Sequence, residues 1–185
     1  MTKLSMQDIS YGISKPSDLY GKLKRDAMKL TEAPHPYDIF DFVVTAAVLN
    51  EWVLKSYASH PFVAALADAQ NAKNYSSLPM EFAEWIAHVR IPPLEGPNAR
   101  MHVFAALSIC WHTANASKHY HWTNTSKVSA IEPKPQIKDF YQYFFTSTEP
   151  GIYIEYDGVY YTLEQIKEVL LAFYSSLLHV VAPHE

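Results

Sequence analysis

Apolar residues recur at helical spacing in several separate runs along this chain, and the pattern changes to strand-like alternation only near the C-terminal end. The clearest run is "HPYDIFDFVVTAAVLNEWVLKSY", where Ile39, Phe42, Val43, Ala46, Leu49, Trp52 and Val53 fall on one broad face over several turns and predict a central helix. Ahead of it, "SKPSDLYGKLKRDAMKL" places Leu19, Leu23 and Met28 on one side and lysines and an arginine on the other, predicting a mostly exposed amphipathic helix. Shorter helices are predicted in "HPFVAALADAQNA" and "LPMEFAEWIAHVR". The break "IPPLEGPN" then precedes a long helix from near Ala99. Pro16, Pro36, Pro61 and Pro79 each stand just before an apolar-periodic run, where a missing backbone N–H is harmless.

From "NTSKVSAIEPKPQ" onward the reading is β. "KDFYQYFFT" is dense in aromatics, and Asp157-Gly158 separates two β-prone runs in "GIYIEYDGVYYT", a type I′ hairpin signal. Thr162 and Gln165 form a capping-box pattern, so a last helix is predicted to start there and to run through Ile166, Val169, Leu170, Phe173 and Leu177 to about Val181. The expected fold is mainly α: a bundle of about five to six helices with a small antiparallel β-hairpin or meander inserted before the C-terminal helix. Residues 1–185 read as a single domain, with a helical bundle over 14–122, a loop and β-meander over 123–161 and a closing helix over 162–182.

Composition narrows the function classes. With 185 residues, 49% hydrophobic and 18% charged, the chain can bury a sizeable core without covalent staples. A formal charge of −4 argues against nonspecific binding to a nucleic-acid backbone, which needs a positive surface. The single cysteine, Cys110, excludes an internal disulfide and sits in an apolar helical run, where an inert buried thiol is expected. No apolar run has the length of a membrane span or a signal peptide, so the expectation is a soluble, cytoplasmic protein.

The candidate chemistry lies in "SICWHTANASKHYHW", Ser108 to Trp122. On a helix, Ser108, His112, Asn115 and His119 share one stripe, and Phe104, Leu107, Trp111 and Ala114 form an apolar stripe beside it. Four readings compete. A metal site is disfavoured because His112 and His119 stand two turns, about 10 Å, apart, and because no paired Glu-x-x-His motif exists. Nucleophilic catalysis is disfavoured because there is no Gly-x-Ser-x-Gly elbow and Cys110 points away from His112. General acid–base chemistry by His119 is open, with Asn115 one turn back, Lys118 and Arg100 on the same helix, and Asp38, Asp41 and Thr45 available on the central helix to orient His119 or pair with Lys118. The fourth reading is structural: aligned polar groups that fix helix register. No cofactor or metal is implied.

The "Ala-Asn-Ala-Ser-Lys-His" of residues 114–119 near the end of a long helix, together with the preceding "YDIFDFVVTAAVLNEW", resembles the HEPN superfamily of small helical domains. The resemblance covers the helical two-thirds of the chain. It implies a homodimer and a metal-independent ribonuclease of toxin–antitoxin or other defence systems, whose signature is an arginine, about four to six residues, then a histidine. His119 matches the family histidine. No arginine precedes it at the family spacing, since His112, Thr113 and Ala114 occupy those positions, and a protonated His112 or Lys118 lacks the guanidinium fork. The resemblance therefore also admits a scaffold that has become a binding module.

The aromatic segment offers the second function class. In "DFYQYFF" both faces of a strand are apolar or aromatic, so one face is expected on the bundle and the other, with Tyr153, Tyr160 or Tyr161, on a partner. Only Lys127, Lys134 and Lys138 lie near in sequence, too few for a base-stacking groove, which favours a protein partner over RNA.

Overall fold

The computed structural model describes residues 12–31, 34–72, 79–88, 99–119, 128–132 and 152–183. Among them are six helices: α1 (Pro16–Ala27), α2 (Pro36–Ser56), α3 (Pro61–Ala72), α4 (Met80–His88), α5 (Ala99–His119) and α6 (Leu163–Val181). Three strands, β1 (Val128–Glu132), β2 (Tyr153–Tyr156) and β3 (Val159–Thr162), form an antiparallel sheet in the order β1-β2-β3, placed before the closing helix. The mainly helical fold with a small β-meander is thus the one the hydrophobic pattern implies. The aromatic segment "DFYQYFF" and the loop "IPPLEGPN" lie outside the described residues.

Local chemistry sets most of the boundaries. Pro16, Pro36 and Pro61 occupy the first helical position of α1, α2 and α3, where a fixed φ suits the helix and no donor is lost. Asp18 in the first turn of α1 accepts hydrogen bonds from the backbone N–H groups of Ser14 and Lys15 at 3.0 and 3.2 Å. Those bonds, Ser14's foremost, hold its carboxyl below the usual range. The hydroxyl of Thr162 accepts from the Gln165 N–H at 3.0 Å while the Gln165 side chain accepts from the Thr162 N–H at 2.9 Å, so the capping box opens α6 as the sequence implies. Asp157 and Gly158 both have positive φ, 53° and 78°, and join Tyr156 to its cross-strand partner Val159. Two consecutive positive φ values are what a type I′ hairpin requires.

One hydrophobic cluster draws on all six helices and on Val128 and Ile154 of the sheet. Helix α2 is central in it, packing most extensively against α5 and α1. Its Phe42, Val43, Ala46, Leu49 and Val53 are buried, each large side chain contributing roughly 1.5–3 kcal/mol of transfer free energy. The α3, α4 and α6 side of the core is aromatic. Phe62 lies 5.1 Å from Phe82 and 5.4 Å from Trp85, and Trp85 meets Phe173 edge-on at 6.3 Å.

Helix α1 departs from its expected character. Leu19, Leu23 and Ala27 are buried against the bundle, whereas Met28, at the helix cap, is exposed, because nine residues on from Leu19 it stands about 180° round the helix on the opposite side. Asp26 also turns inward. It accepts a hydrogen bond from Thr45 Oγ1 of α2 at 2.7 Å and pairs with Lys22, whose Nζ donates to Thr45 Oγ1 at 2.7 Å. Each of the two buried groups therefore has a partner, and the polar triad fixes the register of α1 on α2. A second polar clasp joins α2 to α3, where the side-chain amides of Asn50 and Gln70 bond reciprocally at 3.0 and 3.3 Å. The Tyr20 hydroxyl donates to the Leu171 carbonyl at 3.0 Å and ties α1 to α6.

Candidate functional site

The first half of α5, from Val103 to Cys110, is surrounded by the core: only Ser108 is less than fully buried there. Beyond Cys110 the helix runs out toward the sheet, and its stripes separate. Ala114 stays buried, while Trp111, expected on the apolar stripe, is half exposed at 50%. The correction has a simple cause. Helical periodicity assigns a face but not the point along the axis at which the neighbouring helices end.

On the polar stripe, Ser108, His112 and Asn115 are all half-buried. The His112 ring meets Trp111 edge-on at 4.9 Å and lies 6.3 Å from the ring of Tyr156 on β2. Tyr156 in turn meets Tyr161 of β3 at 6.4 Å, and burial, followed by the neighbouring Tyr156 and Asp157, raises the Tyr161 phenol. The stripe thus faces the β-meander at this level. Arg100, Lys118 and His119 are helical positions of α5, but their side chains lie outside the described part of the structure, and His121 lies outside it altogether.

The carboxylate and hydroxyl offered by α2 do not join this group among the described residues. Thr45, one of the three groups α2 could offer the α5 stripe if the two faced each other, is held by Asp26 and Lys22 of α1. Asp41 is half-buried and lies about 40° from Thr45 around the helix axis, on the same flank. No hydrogen bond or ion pair joins it to α5 among the described residues.

Tyr156 is the residue that sequence reasoning missed. Strand alternation puts Tyr153 and Glu155 on one face of β2 and Ile154 and Tyr156 on the other, and it is the latter face that meets the core and α5. Tyr153, expected on a partner-facing surface, is buried. Alternation was legible in "YIEY", yet Tyr153 and Ile154, on opposite faces, are both buried, which alternation alone does not foretell.

Trp111, His112 and Tyr156 place three rings in a row at this level of α5. Trp111 touches His112, His112 touches Tyr156, and Tyr156 pairs across the hairpin with Val159, which is 53% exposed. Among the described residues no group of three or more His, Cys, Asp or Glu side chains is placed to hold a metal ion. Cys110 is fully buried on the opposite side of α5, its thiol pushed up to about 12 by desolvation, so it is not an available nucleophile. Compared with protein-family models, curated proteins and solved structures, the chain has no match.

Proposed function

We propose that this chain is a HEPN-like helical scaffold that works by binding a protein partner rather than by cleaving RNA. The observation that carries this reading is the setting of His112. At the longest family spacing it occupies the arginine position, and among the described residues its ring stands beside two aromatic rings, 4.9 Å from that of Trp111 and 6.3 Å from that of Tyr156. Exposed Trp111 and Val159 extend the same surface, and a rim of tryptophan, histidine and tyrosine is typical of protein interfaces. The net charge of −4 supports a protein partner over a nucleic-acid backbone.

No helix among the described residues is long and apolar enough to cross a membrane. The single buried Cys110 is compatible with the cytoplasmic location proposed for a HEPN-like domain. The reading is tested by affinity capture with wild-type chain, Trp111→Asp, Val159→Asp and His119→Ala. A partner held by the wild type should be lost from the first two variants and retained by the third. An identical set on all four, with Trp111→Asp and Val159→Asp folded, would overturn the assignment of this surface.

A further inference from the structure

The outward side of α1 carries cations and one large apolar side chain, while its carboxylates are engaged elsewhere. At about 100° per residue, Gly21, Lys24, Arg25 and Met28 fall within about 100° of one another, opposite the buried Leu19, Leu23 and Asp26. Lys24, Arg25 and Met28 are exposed, Met28 to 75%, and Lys29, just past the helix end, is exposed as well. Asp26 is held in the core by Thr45 and Lys22, and Asp18 accepts from the N–H groups ahead of the first turn. Among the described residues, Lys24 meets the Tyr20 ring at 4.9 Å but no carboxylate, and Arg25 meets neither. Lys29 reaches Asp26 only at 3.9 Å, with half its side chain in solvent. By contrast, Lys55 of α2 stands 3.8 Å from Glu51, and Lys167 of α6 stands 2.6 Å from Glu164. Uncompensated positive charge among the described residues thus collects on this one face, in a chain whose net charge is −4.

Gly21 stands in the middle of the same face. A Cβ there would meet nothing within 4 Å among the described residues, so no described contact asks for glycine. Glycine inside a helix is nevertheless destabilising. Last-turn cations complement the helix dipole, which accounts for Lys24 and Arg25 but for neither the glycine nor the bare methionine.

We propose that this face of α1 docks an acidic amphipathic helix of a partner protein. Gly21 lets the partner backbone approach closely, and Met28 supplies an adaptable apolar contact beside it. Around them, Arg25 offers its guanidinium fork to one carboxylate, and Lys24 and Lys29 act as point charges toward others. A helix with carboxylates four residues apart along an apolar stripe matches that layout. A nucleic-acid backbone or an anionic lipid surface fits it less well. Each is held by a longer run of cations, and one methionine is little apolar area to bury in a bilayer. Every residue of this face belongs to α1 or its end, so the proposal stands or falls separately from the α5–sheet surface.

Fluorescence anisotropy with the full chain tests the proposal. The probe is a labelled synthetic helical peptide with a leucine stripe flanked by glutamates, beside the same peptide with lysine in place of glutamate. The glutamate peptide should bind and the lysine peptide should not, and added salt should weaken the binding. Lys24→Glu and Arg25→Glu should each raise the dissociation constant by about tenfold, with circular dichroism unchanged because both side chains are exposed. Lys55→Glu alters the net charge equally but lies on α2, and it should leave the affinity as it is. Gly21→Leu gives opposite signs in two readouts: the melting temperature should rise, since leucine is the better helix former, while the dissociation constant rises by about tenfold. Neither single-stranded RNA nor vesicles of phosphatidylserine and phosphatidylcholine should displace the peptide. Failure of the glutamate peptide to bind, equal weakening by Lys55→Glu, full affinity in Gly21→Leu, or displacement by RNA or vesicles would overturn the assignment.

Discussion

Tyr174 carries a hydroxyl that is fully buried and has no hydrogen-bond partner among the described residues, in the core between α5 and α6. Desolvation and the nearby Cys110 both raise its phenol well above the ordinary value. An unsatisfied buried hydroxyl costs on the order of 1–3 kcal/mol, so Tyr174→Phe should leave stability unchanged or raise it by about 1 kcal/mol in urea denaturation. A loss of that size instead would mean that the hydroxyl is bonded. Cys110 gives a pH dependence with a definite sign. Its folded value, about 12, lies above the ordinary 9.0, so the folded state holds the thiol proton more tightly. The contribution to stability is therefore full below about pH 9 and is lost as the pH rises toward about 12. Iodoacetamide labelling at mildly alkaline pH should proceed at the rate of unfolding. Fast labelling of native protein would contradict the burial.

At the scale of elements, the α1–α2 clasp carries a sharper expectation than any surface charge. Thr45→Val removes the bridging hydroxyl between Lys22 and Asp26 and should destabilise by about 1–2 kcal/mol. Asp26→Ala should cost more, about 2–3 kcal/mol, because it takes the acceptor from the buried Thr45 hydroxyl proton and leaves a partly buried Lys22 without its anion. Equal effects of the two changes, measured by thermal unfolding, would show that the ion pair contributes nothing. The elements themselves were largely legible in the sequence, since proline at helix starts, the Thr162–Gln165 box and the Asp157-Gly158 turn are local devices whose partners lie within a few residues. Their partners across the fold were not. Thr45 could face α1 or α5 with the same helical periodicity, Asn50 gave no sign of Gln70, and Tyr156 was one of several tyrosines until the sheet met α5. The exposure of Trp111 was hidden for the same reason, because it depends on where neighbouring elements stop.

At the scale of the molecule, one core joins all six helices to the sheet, and the candidate stripe of α5 leaves that core where it meets the β-meander. A ribonuclease built on this helix would need His119 as acid–base and a cation at phosphate. The described part of the stripe offers instead a histidine among aromatic rings beside an exposed tryptophan, the makings of a recognition surface. On the proposed reading, α5 binds a partner and does not cut RNA. The most direct test is incubation of a mixed RNA pool with purified protein in EDTA, beside His119→Ala, with both chains shown to be folded. Intact RNA is expected with either chain. Cleavage by the wild type that disappears in His119→Ala would contradict that reading and restore metal-independent chemistry to α5.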